Sequence, residues 1–433
     1  MKSINTMRTS VIAASCAAVL LSCSSSVHAP QTTRTARANF TRQLLDSTIE
    51  ATLSLPLTQE TASRWESACW GMGLARYTSQ QTTGALRQAF RTFHQHPTGN
   101  QRALLEVTYA LYPDEFVQES EGVMLSTTNE KLFAMASLHF LRATAWREIQ
   151  RVKEQMHRTF PAHDVHPILR MLTYALEERA TGVPQTRPPL EDLLSAPIVK
   201  GRPVMFSLQR KNRQYSGLAL VRDANGRFVK QHGSIYFSVP QLALSSSDLP
   251  GYLTNGNTPQ GIFSVQGFGR STNLFIGPTE NVQTVLPFEA KPFEFFHSSN
   301  SADTMWSRER YANLLPPSWR DYLPIYTAYY AGQAGRWDII AHGTTIDPEL
   351  SHGKPYFPNA PTLGCLSAAE SWSPNNGERV WSDQQTLIDV MQSIGFEKGY
   401  LIVVELGDER RAVLLRDVLP ILDRLAEQPS VQR

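Results

Sequence analysis

At 433 residues the chain is long enough for more than one hydrophobic core. Its 41 Lys and Arg nearly balance 39 Asp and Glu, and the formal charge of +2 includes Lys2 and Arg8 of a segment, residues 1–22, that holds no acid. The near-neutral remainder carries no excess of basic charge for a phosphate backbone, which argues against nucleic acid as a partner.

Lys2 and Arg8 precede the apolar run Val11 to Leu21, the layout of a signal peptide, and the run is too short to span a bilayer. It ends in Leu20-Leu21-Ser22-Cys23, which resembles a bacterial lipobox. The resemblance implies cleavage before Cys23 and lipid on its thiol and amine. With Ser24 following, it implies a periplasmic protein anchored to the outer membrane. An ordinary signal peptide with an incidental Cys23 is the alternative. Residues 23–38 are mostly small and polar and read as a tether.

Residues 39–181 read as an all-helical domain. Thr127 and Glu130 form a capping-box pattern, after which Leu132, Met135, Leu138 and Leu141 recur every third residue. Phe133, Ala136 and Phe140 widen that stripe, so the helix should be buried on two sides. Another helix through Leu104, Leu105, Tyr109 and Leu111 stops before Pro113. Thr108-Tyr109-Ala110-Leu111 recurs at 173–176, an echo of stacked hairpins or a coincidence. His157, His163, Asp164 and His166 raise a metal site, but Pro161 and Pro167 beside them favour a polar interhelical loop; no metal or cofactor is expected. Once Cys16 leaves with the signal and Cys23 is acylated, Cys69 and Cys365 remain, which raises a disulfide in an oxidising compartment. Cys69 shares a helical stripe with Trp65 and Met72, so it reads instead as core.

Residues 182–203, with Pro184, Pro188, Pro189 and Pro197, read as a linker interrupted by a short apolar turn at Leu190 to Leu194. The period then changes. Val204 to Leu208, Leu218 to Val221 and Ile235 to Val239 read as strands, separated by turns at residues 223–226 and at His232-Gly233. A helix near Gln384 to Ile394, a stop at Gly395 and a strand at Tyr400 to Glu405 close the segment. The class expected is α+β multidomain: a helical domain, then a mostly β domain over residues 204–407. A C-terminal helix in 408–433, with Val413, Leu414, Val418, Ile421, Leu422 and Leu425 on one side, should pack back on one of the two.

The chemistry concentrates in Ala341-His342-Gly343-Thr344 and Thr362-Leu363-Gly364-Cys365-Leu366, with twenty-two residues between His342 and Cys365. A thiol attacks as its thiolate, of which only a few per cent forms near neutrality at a free pKa of about 8.5. A histidine within hydrogen-bond reach removes that limit, and adjacent glycines free main-chain N–H groups for a developing oxyanion. The pair taken alone also fits a structural cysteine and an unrelated loop histidine.

About a hundred residues upstream stands Thr258-Pro259-Gln260-Gly261-Ile262-Phe263. In order, the three motifs resemble those of the L,D-transpeptidase (YkuD-type) catalytic domain, over roughly residues 200–407. Leu363 stands where that family often has a second histidine, and Ser367 where it often has Asn or Arg. The resemblance implies that Cys365 attacks the carbonyl of an L,D peptide bond in a peptidoglycan stem peptide and expels D-alanine. It implies that His342 takes the thiol proton, the Gly343 carbonyl fixes its ring, and the Gly364 and Cys365 amides bind the oxyanion. Thr362 and Ser367 are candidates for substrate binding, Thr362 equally for forming the turn. A thiol so activated should have a pKa below its free value and alkylate faster than Cys69.

Two alternatives concern His352, in Ser351-His352-Gly353-Lys354: it is a second candidate base, or a zinc ligand with His342 and Cys365. His342 is preferred because an apolar strand, Trp337 to Ile340, should position it, and no fourth zinc ligand lies at a short spacing. Trp319, Tyr322, Tyr326, Tyr329, Tyr330 and Trp337 fill the long insertion before His342. Most should be core, with at least one of the adjacent Tyr329 and Tyr330 pointing away. The expected activity is transfer of the acyl group to an amine on a stem peptide, or on a protein that the helical domain recruits as acceptor or scaffold. An L,D-carboxypeptidase, giving the same acyl-enzyme to water, and a non-catalytic wall-binding lipoprotein are the competing readings.

Overall fold

The computed structural model describes residues 26–231 and 233–427, so the lipobox with Cys23, the signal segment and His232 lie outside the described residues. Helices occupy the first half: Arg34–Arg42 running on through Gln43–Glu50 and Ala51–Leu53, then Ala62–Ala75, Gln80–Arg91, Thr98–Leu111, Val117–Ser126, Glu130–Ala143, Ile149–Thr159 and Pro167–Thr181. Helix Glu130–Ala143 is capped by Asn129, whose side chain accepts from the Lys131 and Leu132 amides, rather than by Thr127. Every residue from Leu132 to Leu141 is buried, so this helix is enclosed on all sides. His139 is held there by the Ser120 hydroxyl at 3.0 Å and the Tyr112 carbonyl at 3.0 Å.

The strands are β1 (Val204–Gln209), β2 (Gly217–Arg222), β3 (Lys230–Gln231), β4 (Ile235–Tyr236), β5 (Val239–Gln241), β6 (Gly261–Gly269), β7 (Asn281–Val285), β8 (Ala341–His342), β9 (Leu366–Ser367), β10 (Glu370–Trp372), β11 (Arg379–Ser382) and β12 (Gly399–Glu405). Eight of them form one sheet in the order β5-β2-β1-β12-β6-β7-β8-β9, while β3–β4 and β10–β11 are separate hairpins. The pairs β1–β12 and β8–β9 are parallel and the others in the sheet antiparallel. Just past β5, Leu242 exchanges backbone hydrogen bonds of 2.8 and 2.9 Å with Ser367 of β9, so the sheet curls into a nearly closed barrel. The fold is mixed α+β, helical at first and sheet-rich after.

The two faces of the sheet serve different cores, as strand alternation requires. Met205, Phe263, Leu401 and Val403 pack with Leu387, Ile388 and Met391 of helix Asp383–Ser393. Phe206, Leu208, Ile402 and Val404 join one continuous apolar cluster with the helical region, and Leu190, Leu193 and Leu194 of the proline-rich linker are buried in it. One apolar cluster therefore runs across the expected domain boundary, while the other face of the sheet keeps a cluster of its own. The C-terminal helix Leu419–Glu427 packs where the halves meet: Tyr236 donates to the Leu422 carbonyl at 3.0 Å, and Arg424 pairs with Glu191 of the linker helix at 2.8 Å.

The stretch expected to be a tether is docked over most of its described length. Val27 and Ala29 pair with Arg379 and Gly377 beside hairpin β10–β11, the Arg34 amide donates to the Pro374 carbonyl, and a helix begins at Arg34. Main-chain pairing with a sheet edge needs no apolar pattern, so a small, polar sequence does not reveal it. In the insertion, Tyr329 and Tyr330 are both buried. Helix Thr327–Gln333 lies between β6 and helix Pro167–Thr181, with Tyr330 taking a bond from Arg170 at 3.0 Å, so neither face is free. Trp337 alone of the six aromatics is exposed.

Candidate active site

Strands β8 and β9 bring the two motifs together. Ala341 pairs with Leu366 and His342 with Ser367, which sets Cys365 opposite Ile340. Side chains two apart in a strand share a face, so His342 and Cys365 lie on one side and Ala341 and Leu366 enter the core on the other. The apolar strand expected over Trp337 to Ile340 is absent, because Asp338 takes a left-handed backbone, φ 59°. The segment is pinned instead by Glu289, which accepts from the Asp338 amide at 3.0 Å and the Leu286 amide at 2.8 Å, and by Thr284 donating to the Ile339 carbonyl.

His342 is buried, with Nδ1 against the Gly343 carbonyl at 2.5 Å. That contact assigns the proton to Nδ1 and leaves Nε2 as the basic atom. Burial lowers its pKa, the Gly343 carbonyl and Asp338 opposing, so the ring is neutral near pH 7. The Gly343 position allows no side chain: a Cβ there would strike the Glu370 carboxyl group. Glu370, itself buried, takes bonds from Thr279 at 2.5 Å and Ser382 at 2.6 Å, and supports the turn from beneath. Gln384 fixes β8 by donating to the Ala341 carbonyl at 3.0 Å.

The Cys365 sulfur accepts from the Ile340 amide at 3.5 Å and donates to the Asp338 carbonyl at 3.6 Å. Burial pushes this thiol up to about 11, against the smaller lowering effects of the Ile340 amide and Arg336. The expected low pKa is thus reversed in the resting site: with a neutral ring on the adjacent strand and the sulfur partly buried, the thiolate gains too little to offset its lost hydration. Cys69 is raised further, to about 12, and both thiols are free.

The turn before Cys365 also departs from expectation. Thr362 accepts the Gly364 amide at 2.9 Å and donates to the Cys365 carbonyl at 2.9 Å, so its hydroxyl and that amide are both spent on the turn. Gly364 is therefore not a free oxyanion donor here, whereas the Cys365 amide has no acceptor among the described residues. Ser367 is buried and donates to the Ala360 carbonyl at 2.8 Å, a structural role. His352 is exposed, 3.6 Å from Glu349 and edge-on to Phe357. Among the described residues no three His, Cys, Asp or Glu side chains converge as metal ligands, at His342, His352 and Cys365 or at His157, His163, Asp164 and His166.

The first motif meets the others through Thr258, whose hydroxyl donates to the Gly364 carbonyl at 2.9 Å. Gly261, φ +145°, lies so close to Ala328 and the Tyr311 hydroxyl that a Cβ has no room. Arg336 went unnoticed in the sequence. It is buried, donates to the carbonyls of Gly251, Gly256 and Asn257, and touches Gly364 so closely that a Cβ there would meet its Nη2. Its only advance signal was a charge between Gly335 and an apolar run.

No family model matches the chain, and no curated protein or solved structure matches it.

Proposed function

We propose that the protein is a cysteine acyltransferase acting on peptidoglycan stem peptides, an L,D-transpeptidase with a YkuD-type catalytic region over residues 204–407. What carries the reading is convergence: the three motifs that suggested it lie at one place, Thr258 bonded to Gly364 and His342 on the strand beside Cys365. In this reading the Cys365 thiol passes its proton to Nε2 of His342 as sulfur attacks the carbonyl carbon. The oxyanion takes the Cys365 amide, and collapse expels D-alanine, whose nitrogen receives the proton from His342. An acceptor amine then gives a proton to His342 as it attacks the thioester, and collapse releases the Cys365 sulfur, which takes that proton back from His342 as its thiol. A lipid on Cys23 would hold the enzyme at the periplasmic face of the outer membrane; among the described residues no helix is long and apolar enough to cross a membrane.

The test incubates the chain from Ser24 onward with purified tetrapeptide muropeptides and follows products by mass. The expected product is a cross-linked dimer lacking one D-alanine, absent with Cys365→Ala. A tripeptide product would make it a carboxypeptidase, and unchanged substrate would leave a wall-binding protein.

A further inference from the structure

The docked leading stretch limits how far the fold can stand from a lipid on Cys23. His28 lies opposite Glu378 in an antiparallel bridge, with the Arg379 amide donating to the Val27 carbonyl at 2.8 Å and the Ala29 amide to the Gly377 carbonyl at 2.8 Å. Gln31 adds to the attachment by donating to the Leu274 carbonyl at 3.0 Å. Val27 follows Cys23 by four residues. An extended chain covers at most about 3.6 Å per residue, so Val27 lies within about 14 Å of Cys23 whatever path the chain takes. The headgroup layer on each side of a bilayer is itself about 5–7 Å deep. A leash this short brings the fold down onto the lipid.

The same pairing says which face comes down. In the antiparallel bridge the leading end runs from His28 past Arg379 toward Val380 and Trp381. Those side chains are 66% and 45% exposed, and Leu274, at the Gln31 contact, is 65% exposed. Single apolar side chains in water are ordinary, but three around one attachment point form a surface that water does not favour, and tryptophan prefers the boundary between headgroups and acyl chains. Charge does not oppose the contact. Residues 24–45 hold Arg34, Arg37 and Arg42 and no acid, and Arg34 and Arg42 are exposed; Arg37 pairs with Asp347, and Glu378 on the hairpin is half-buried.

We propose that Leu274 together with Val380 and Trp381 of hairpin β10–β11 forms a surface that lies on phospholipid, so that the anchored protein is held in one orientation instead of swivelling on its lipid. This orientation presupposes the lipid on Cys23 proposed above. Val183, 72% exposed, marks the other end of the sheet: its neighbour Pro184 shares a cavity with Gln260, just before β6, whereas Arg379 is bonded to Thr279, close to Asn281, which pairs with Gly269 at the end of β6. The nine residues of β6 put about 30 Å between those ends, several headgroup layers.

The test uses the full-length lipidated protein with Cys365→Ala and one of Val380→Cys, Leu274→Cys or Val183→Cys. Cys69 is buried, so an environment-sensitive fluorophore reacts at the introduced thiol. The protein is placed in vesicles of phosphatidylethanolamine and phosphatidylglycerol containing lipid spin-labelled at the headgroup. We expect the labels replacing Val380 and Leu274 to be quenched roughly threefold or more beyond the label replacing Val183, which stands clear of the headgroups. Flotation reports the anchor separately, with the parent chain expected to float with the vesicles and Cys23→Ala to float less. A parent chain that does not float overturns the anchor and this orientation with it. A chain that floats, with the label at either Val380 or Leu274 quenched no more than that at Val183, overturns the orientation alone.

Discussion

The hydroxyl of Thr258 donates to the carbonyl oxygen of Gly364 across 106 residues of sequence, and so ties the first motif to the turn that carries Cys365. Thr258→Val keeps the shape and deletes the bond. We expect a stability loss of about 1 kcal/mol, typical of a single hydrogen bond, and a larger fall in acyl transfer, because the turn is then free to shift beneath the sulfur. Thr258→Ser should behave nearly as wild type. Transfer rates for the two variants decide it, and an unimpaired Thr258→Val would show that the bond is dispensable.

The raised thiol and the neutral ring give distinct pH profiles. Alkylation of Cys365 by iodoacetamide should keep climbing through pH 9 without a plateau, since burial holds the thiol near 11. Acyl transfer should instead level off at low pH, with an acid limb set by His342 below its usual value of about 6.5. His342→Ala should remove that early plateau. An alkylation plateau at neutral pH would mean an ion pair in the resting site, contrary to the geometry.

His139 offers a stability test far from the chemistry. Burial lowers its pKa to about 4, against 6.5 in the unfolded chain. The unfolded state therefore binds more protons between those values. The stability of a neutral His139 is full above pH 6.5 and is lost as pH falls toward 4, a contribution on the order of 3 kcal/mol. Urea unfolding at stepped pH should show a shallower acid decline in His139→Gln than in wild type. Parallel curves would remove His139 as the cause.

Limited proteolysis tests the shared core. Residues 181–186 are exposed and should be cut first. Because Phe206, Ile402 and the linker leucines join the helical cluster, the fragments should elute together and separate only in denaturant. Fragments that part under native conditions and stay folded would restore two independent domains.

Much of this arrangement was legible in sequence where periodicity or motif order carried it: the helical first half, the change to strands after Pro203, and the trio of segments around Cys365. What escaped reading depends on long-range placement. Arg336 bonds only backbone carbonyls, and carbonyls leave no trace in side-chain patterns. Glu370 resembles any surface acid until Thr279 and Ser382 are seen to meet it. The strand expected before His342 failed at Asp338, a charged residue inside Trp337-Asp338-Ile339-Ile340 whose left-handed backbone ends the extension. Gly364 could be matched to a motif, but Thr362 capturing its amide is a matter of local turn geometry.

The pairing of Val27 and Ala29 with residues 377–379 has a mechanical consequence. Tension applied at the chain's leading end enters the fold through hydrogen bonds laid along a hairpin, loaded together in shear instead of opened one by one. The hairpin begins at Glu370, whose carboxyl group underlies Gly343. A pull on Val27 and Ala29 is therefore borne by the same hairpin whose first residue underlies the turn after His342.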